Sequence, residues 1–252
     1  MTVSAIVKGI NAISYRHGAW RVFADFVEAS AIALSNAVDW TQRESREQRY
    51  LQIMGGYEKQ EAARFPEIYA NLVLAMEQAG HADILGRVFH ELELHNKWAG
   101  QFFTPYEICC MMAKMTADDD IKAKIEERGF IRVQEPCVGS GAMVIALAHE
   151  LKEAGFNYQQ QMHVTAVDVD LKCVCMAYIQ LSLLHIPAII VHGNTLTLET
   201  WSNWYTPAHI IGGWDWKLRR KEMQPVVEPE PIQQIPYPAI LPKEVGSQLT
   251  LF

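Results

Sequence analysis

The feature that most constrains the fold is an alternation of short apolar runs and longer amphipathic segments between residues 130 and 194. Runs rich in β-branched residues predict strands over 130–134, 163–167 and 187–191, and helical periodicity predicts helices over 142–154 and 171–184. Strands that alternate with helices form a parallel sheet with right-handed crossovers. Ligands of such sheets bind at the carboxyl ends of the strands, so a site is expected there.

The segments on either side of this alternation have a different character. Apolar residues recur at three- and four-residue steps between Phe23 and Val38, and further helices are predicted over 66–78 and 84–96. Six of the chain's 11 prolines lie beyond residue 221, which predicts an extended tail. We therefore predict a helical N-terminal region (1–98), an α/β domain (99–221) and a proline-rich tail (222–252).

The composition excludes several classes of protein. With 50% hydrophobic and 20% charged residues and a net charge of −7, the chain is typical of globular proteins, and no apolar run reaches the ~18 residues of a membrane span. No secretory signal is expected from the first 20 residues, and the five cysteines predict reduced thiols in a cytoplasm. No metal site is expected, because His81, His90 and His95 lack ligand spacing and Cys173 and Cys175 diverge on a helix.

The chemistry-bearing residues lie where the predicted strands end. Residues 135–141, Glu-Pro-Cys-Val-Gly-Ser-Gly, follow the first strand and open a helix, which fits either a tight connection or a ligand-binding turn. Asp168 ends the next strand 27 residues after Gly141, where a carboxylate can accept both hydroxyls of a ribose. Residues 193–195 end the third strand and could bond an adenine ring. The strict GxGxxG pattern and the phosphate-loop lysine are absent, so neither a dinucleotide nor ATP is the first choice.

Four motifs in this order resemble the amino-methyltransferase class of DNA methylases. They are GQFFTP (100–105), EPCVGSGAM (135–143), AVDVD (166–170) and HGNTL (192–196). The chain is most similar to the modification subunits of type I restriction systems and related adenine-specific enzymes, over roughly residues 83–213. We therefore expect a truncated, Rossmann-like methyltransferase sheet of about four parallel strands in the spatial order 3-2-1-4.

The resemblance implies a pocket for S-adenosylmethionine. Its expected residues are Phe103, Thr104 and Pro105 on the methionine side; Glu135, Pro136, Gly139, Ser140 and Gly141 in the turn; Asp168 and Val169 at the ribose; and Asn194 at the adenine. The family usually has Asp at the last of these positions, and an Asn still offers an acceptor there. Asp168 must lie within about one side-chain length of the turn at Gly139, since one nucleoside has to touch both.

The chain departs from the family at the catalytic signature, an Asn or Asp followed by Pro-Pro and an aromatic residue. No such tetrapeptide exists in the sequence. The predicted fourth strand, 208–212, is instead followed by a segment in which Asp215 could accept from the exocyclic amine of adenine and Trp216 could stack on the base. In the alternative interpretation the tryptophans only cap the sheet. Thr206-Pro207 is a poorer substitute for the signature.

Two functions of different class follow. The first is an S-adenosylmethionine-dependent DNA adenine methyltransferase; the second is a catalytically inactive, cofactor- and DNA-binding protein of the same descent, acting as a regulator, decoy or partner subunit. The usual fold of the family continues with three further strands, which are not expected in the proline-rich segment after Trp216. This and the missing signature favour the second function, and the cofactor motifs favour the first. A partner chain could complete the fold. The dense basic run could bind DNA phosphates or serve as a solubilising linker; it comprises Lys217, Arg219, Arg220 and Lys221.

The last five residues, Gln-Leu-Thr-Leu-Phe, are unusually apolar for a terminus that follows a proline-rich tether. They resemble the peptide by which bacterial polymerases and repair proteins dock on the sliding clamp. The resemblance implies that Gln248 anchors by hydrogen bonds while Leu251 and Phe252, with Leu249, contact an apolar pocket. The alternative is that the tail folds back on its own domain. A clamp partner implies a nucleoid-associated protein in a bacterial cytoplasm.

Overall fold

The N-terminal part of the chain is helical, as predicted. The computed structural model of the protein describes residues 3–92, 103–117 and 119–222. The helices of the first range are α1 (Val3–His17), α2 (Ala19–Asn36), α3 (Arg43–Met54), α4 (Lys59–Ala62), α5 (Arg64–Ala79) and α6 (Ile84–Glu91). Buried residues recur at helical spacing, as with Ile6, Ile10 and Ile13 of α1, so the helices pack through apolar faces.

The remainder forms an α/β domain around a four-stranded sheet. Its elements are α7 (Tyr106–Thr116), α8 (Asp119–Arg128), β1 (Ile131–Glu135), α9 (Ala142–Glu153), α10 (Tyr158–Gln161), β2 (Met162–Asp168), α11 (Leu171–Leu183), β3 (Ala188–Asn194), β4 (Glu199–Tyr205), α12 (Pro207–Ile211) and α13 (Trp214–Glu222). Strands β1, β2 and β3 are parallel neighbours, with Val133 opposite Val164 and Ala166 opposite Ile190. Strand β4 runs antiparallel to β3. The predicted α/β class and the first three strands are confirmed.

Helix α11 joins the two halves of the molecule. Eleven of its 13 residues are buried. It packs against β2 and β3 on one side and against α2 and α6 on the other. Because both sides are covered, a polar side chain on this helix has to find its hydrogen-bond partners inside the protein.

The fourth strand and the strand order were predicted wrongly. Residues 207–211 form α12 rather than a strand, because the Thr206 side chain accepts from the backbone N–H of His209 and Pro207 fits the first helical turn. The true fourth strand precedes this helix and forms a hairpin with β3. The order is therefore β1-β2-β3-β4 and not 3-2-1-4.

Two further predictions concern segments at the margins of the structure. The helix predicted over 84–96 ends at Glu91, and residues 93–102, which hold the start of the GQFFTP motif, lie outside the described residues. The tail from residue 223 onwards, with the terminal peptide 248–252, also lies outside them. The interaction of that peptide with a sliding clamp stays a prediction.

Three expected absences can be compared with the described part of the chain. Within residues 3–92, 103–117 and 119–222, no helix is long and apolar enough to cross a membrane. The same ranges contain no group of three or more His, Cys, Asp or Glu side chains arranged to hold a metal ion. All five cysteines are free thiols.

A buried arginine attaches the N-terminal helices to the edge of the sheet. Arg46 on α3 forms an ion pair with Asp39 at 3.1 Å and donates to the Ser35 hydroxyl. It also donates to the backbone carbonyl of Asn203 on β4 at 2.8 Å, and its guanidinium carbon lies 3.9 Å from the centroid of the Trp204 ring. The helical region and β4 thus share one desolvated charge pair.

Replacing Arg46 by Met should destabilise the protein by about 3 kcal/mol, because the Asp39 carboxylate would stay buried without its cation. The measurement is the free energy of unfolding in urea. Arg49→Met is the matched control: Arg49 pairs with Glu28 on the exposed side of the same helix, and its loss should cost under about 1 kcal/mol. Equal losses for the two variants would contradict the assigned role of Arg46.

Candidate functional site

The sequence-predicted turn between β1 and α9 lies against the end of β2. Its backbone is held by two hydrogen bonds across the strand ends, from Val138 N–H to the Val167 carbonyl at 2.9 Å and from Gly139 N–H to Oδ2 of Asp168 at 2.9 Å. The predicted contact between Asp168 and the Gly139 turn is therefore present. The turn and the acidic end of β2 form one unit.

Two glycines of the turn are required by its conformation. Gly139 and Gly141 have φ values of 54° and 96°, in the left-handed region that side chains disfavour. A Cβ atom on Gly139 would also lie 3.1 Å from the Phe103 ring. Phe103 packs against Phe89 of α6, with ring centroids 4.8 Å apart. The aromatic ring thus lies directly against the turn; its role on the methionine side of a cofactor stays a prediction.

Two carboxylates share this edge of the sheet. Oδ1 of Asp168 accepts from the backbone N–H of Asp170, and Oε1 of Glu135 accepts from the backbone N–H of Cys137. Burial raises the pKa of Asp168, although the backbone donors oppose it. Burial also raises the pKa of Glu135, and the nearby charge of Asp168 adds to this rise. The edge therefore favours ligands that bring hydroxyl donors or positive charge.

Other predicted residues surround this unit at its rim. Thr104 and Pro105 are exposed and lead into α7, where Pro105 is the residue before the first turn. The Pro136 carbonyl accepts from the Thr195 hydroxyl at 2.7 Å, which joins the ends of β1 and β3. Val169 is exposed beside Asp168. The structure thus brings the predicted residues of all three strand ends together.

Two predicted cofactor residues have their side-chain oxygens occupied within the protein. The Asn194 oxygen accepts from the backbone N–H groups of Leu196 and Thr197 and so closes the β3–β4 turn. The Ser140 hydroxyl is buried and donates to Asp83 at 2.6 Å, beneath the turn. Asp83 and Gln180 were not predicted. Their only signals in the sequence are an acidic residue before a helix and a single amide in a mostly apolar helix.

Asp215 and Trp216 were predicted to follow a fourth strand beside the turn, and the structure places them elsewhere. Both lie on α13, where Oδ1 of Asp215 is 3.3 Å from Nε2 of His209. Nδ1 of His209 is 2.9 Å from Nε2 of His163, which lies at the amino end of β2. Asp168 is five residues further along that strand, or about 17 Å. The predicted location of this pair is therefore wrong, because β4 runs antiparallel to β3 and returns the chain to the amino ends of the parallel strands before α12 begins.

The basic run that follows is part of the same helix. Nζ of Lys217 lies 4.5 Å from the centroid of the Trp214 ring, and Arg219 is exposed. The side chains of Arg220 and Lys221 lie outside the described residues. Trp214 itself is buried against Phe130 and His163, so this tryptophan caps the amino edge of the sheet.

The parallel strands and the turn at their carboxyl ends form an α/β domain with a candidate ligand site at the strand ends. The chain belongs to the N-6 DNA methylase family, whose model matches residues 81–224, more than half of the chain. S-adenosylmethionine is the cofactor that this membership assigns to the domain. The resemblance described from the four sequence motifs is thereby confirmed.

No curated protein matches the sequence significantly. A solved structure described as a class I S-adenosylmethionine-dependent methyltransferase of Listeria monocytogenes is similar, with 13% sequence identity and a TM-score of 0.41. The similarity covers 77% of this chain and 54% of that one, so the chain spans about half the length of the Listeria protein.

The affinity for S-adenosylmethionine should depend on Asp168. We expect Asp168→Ala to raise the dissociation constant about 100-fold, because two hydrogen bonds from ribose hydroxyls to a charged acceptor would be lost. Isothermal titration calorimetry measures this change. Asp120→Asn, which removes an exposed carboxylate that pairs with Lys124 on α8, is the control and should bind within about threefold of the unaltered chain. Unchanged affinity in Asp168→Ala would contradict the site.

The buried histidine pair should make stability depend on pH. Burial, together with the neighbouring His209 and Arg132, lowers the pKa of His163 to about 3, whereas an unfolded histidine titrates near 6.5. Between these values the unfolded chain binds a proton that the folded chain does not. Unfolding free energy should therefore fall on acidification by up to about 1.4 kcal/mol per pH unit. Urea titrations from pH 7 to pH 4 should show a shallower slope in His163→Phe, and an equal slope would refute this assignment.

Proposed function

We propose that the chain is an S-adenosylmethionine-dependent methyltransferase that acts on the exocyclic amine of adenine in DNA. The observation that supports this most is the unit formed by Asp168, the Gly139 turn and Phe103, in a chain that belongs to the N-6 DNA methylase family. We further propose the division into a helical region (1–98), a cofactor-binding domain (99–221) and a tail (222–252).

The residues present fit this cofactor by their shape and their charge. The Phe103 ring packs directly against the backbone of Gly139, where a Cβ atom would lie only 3.1 Å from it, so a ligand at the turn would contact the ring and the strand ends together. Asp168 would accept from the ribose hydroxyls, and the half-buried carboxylates of Asp168 and Glu135 would attract the positively charged methionine portion. Phe103 would contribute apolar contact to that portion.

For methyl transfer, the main contribution of the protein would be to position the cofactor and the amine. The sulfonium of the bound cofactor makes its methyl group electrophilic, so no strong base is needed. The rigid turn and the two carboxylates would hold the ligand in one orientation relative to an incoming amine, which lowers the entropic part of the barrier.

A specific observation favours a second candidate, a cofactor-binding subunit that lacks its own amine-accepting residues. The sequence has no Asn/Asp-Pro-Pro-aromatic tetrapeptide, and Asp215 lies at the opposite edge of the sheet from Asp168. Within the described residues, β1 is an edge strand: it pairs with β2 on one side and with no strand on the other. In this candidate a partner chain would supply the groups that polarise the adenine amine.

DNA is the proposed substrate, and the basic end of α13 is its proposed contact. Arg219 is exposed there, and each phosphate contact would add to a salt-sensitive affinity. Contacts by Lys217, Arg220 and Lys221 belong to the same proposal. Because this helix lies at the amino edge of the sheet, these residues would hold the duplex backbone and not the target base.

A methyl-transfer assay distinguishes the two candidates. The purified chain is incubated with cofactor labelled on the methyl group and with unmethylated duplex DNA of mixed sequence, and the digested nucleosides are analysed by mass spectrometry. The enzyme should yield labelled N6-methyladenine, and Asp168→Ala should abolish the product. Cofactor binding without any labelled adenine would favour the subunit that needs a partner. Absence of cofactor binding would contradict both.

A further inference from the structure

A buried polar cluster lies directly beneath the turn and uses residues from three separate segments. Asp83, Ser140 and Gln180 are each at most 5% exposed. Oδ2 of Asp83 accepts from the Ser140 hydroxyl at 2.6 Å, and Oδ1 accepts from the Gln180 amide at 2.8 Å. Oδ1 also accepts from the backbone N–H of Gly86 at 2.9 Å, which makes Asp83 the N-cap of α6.

Gln180 completes the cluster from the middle of α11. Its amide nitrogen donates to the backbone carbonyl of Ser140 at 2.7 Å as well as to Asp83, and its oxygen accepts from the backbone N–H of Leu85 at 3.0 Å. A single side chain therefore bonds both to the turn and to the start of α6. In a region that excludes water, each of these bonds is costly to lose.

Ser140 lies between the two glycines that shape the site. Gly139 donates its N–H to Asp168, and Gly141 precedes the first residue of α9. Because both the hydroxyl and the carbonyl of Ser140 are bonded from below, the cluster constrains the backbone on either side of it. The glycines themselves favour no single conformation, so the turn needs such a constraint to keep its shape.

The sequence accommodates the cluster at one further position. A Cβ atom on Gly86 would lie 2.0 Å from Oδ2 of Asp83, so a larger residue there would displace the carboxylate. The Asp83 side chain therefore occupies space that only glycine leaves open.

We propose that Asp83 and Gln180 are positioning residues that fix the Gly139–Gly141 turn in its ligand-binding shape. They touch no reacting atom and act through Ser140. The identity of the turn's ligand as S-adenosylmethionine rests on the proposed function. The role of the cluster in fixing the shape of the turn does not depend on which ligand binds.

Two variants weaken the cluster and one should preserve it. Gln180→Met keeps side-chain length but removes three hydrogen bonds, and Ser140→Ala removes only the hydroxyl. Asp83→Asn is the conservative variant, because its oxygen can still accept from Gly86 and Gln180 while its amide donates to the Ser140 hydroxyl. Arg46→Met is a destabilised control whose substitution lies away from the turn.

Calorimetry gives the cofactor affinity, and hydrogen exchange by mass spectrometry gives the order of the turn. We expect Gln180→Met and Ser140→Ala to raise the dissociation constant about tenfold and to speed exchange in a peptide covering 137–142 by roughly tenfold, with β2 unchanged. Asp83→Asn and Arg46→Met should match the unaltered chain in both measurements.

The outcomes separate this inference from the proposed function. If the unaltered chain binds no S-adenosylmethionine, the proposed function fails, and the exchange of the turn still decides the role of the cluster. Unchanged exchange and affinity in both weakened variants would overturn the inference. So would an equal loss of affinity in Arg46→Met, since general destabilisation would then explain the effect.

Discussion

The burial of α11 is the constraint on which the rest of the structure depends. This helix is enclosed by the sheet and by the N-terminal helices, so its one amide, Gln180, must find partners inside the protein. Those partners are the start of α6 and the turn after β1. Ala177 of the same helix lies against Gly141, where an added Cβ atom would come within 3.6 Å of it. The packing of α11 thereby fixes the position of the turn relative to the sheet.

The second constraint is electrostatic. Asp168 and Glu135 lie partly buried at the same strand ends, and burial raises the pKa of both. A neutral apolar ligand would leave these carboxylates desolvated without compensation. A ligand with hydroxyl donors and a positive charge would replace the hydrogen bonds and the solvation that water gives to exposed carboxylates. Charge complementarity at these strand ends therefore restricts the chemical class of ligand.

Local sequence patterns predicted the elements that depend on neighbouring residues. They did not predict features that depend on contacts between segments far apart in the chain. The β1–turn–α9 unit and Asp168 follow from strand and helix periods and from glycines at a strand end. The apolar residues after Pro207 were predicted to form a strand, but the Thr206 cap starts a helix there. The position of β4 depends instead on the turn after β3, which the Asn194 side chain closes. Ser140 was expected among the cofactor-binding residues because nothing local shows that its hydroxyl donates to Asp83, 57 residues away.

The same long-range bonds bear on how the protein reaches its native state. Gln180 meets Asp83 across 97 residues of chain, and Arg46 meets Asn203 across 157. Closing such large loops lowers the conformational entropy of the chain before the stabilising contacts form, and this slows folding. The helices before residue 80 can form early from local contacts, but the turn acquires its support only after α11 has docked. We therefore expect the ability to bind ligand to appear late in folding, after the helical region has packed against the α/β domain.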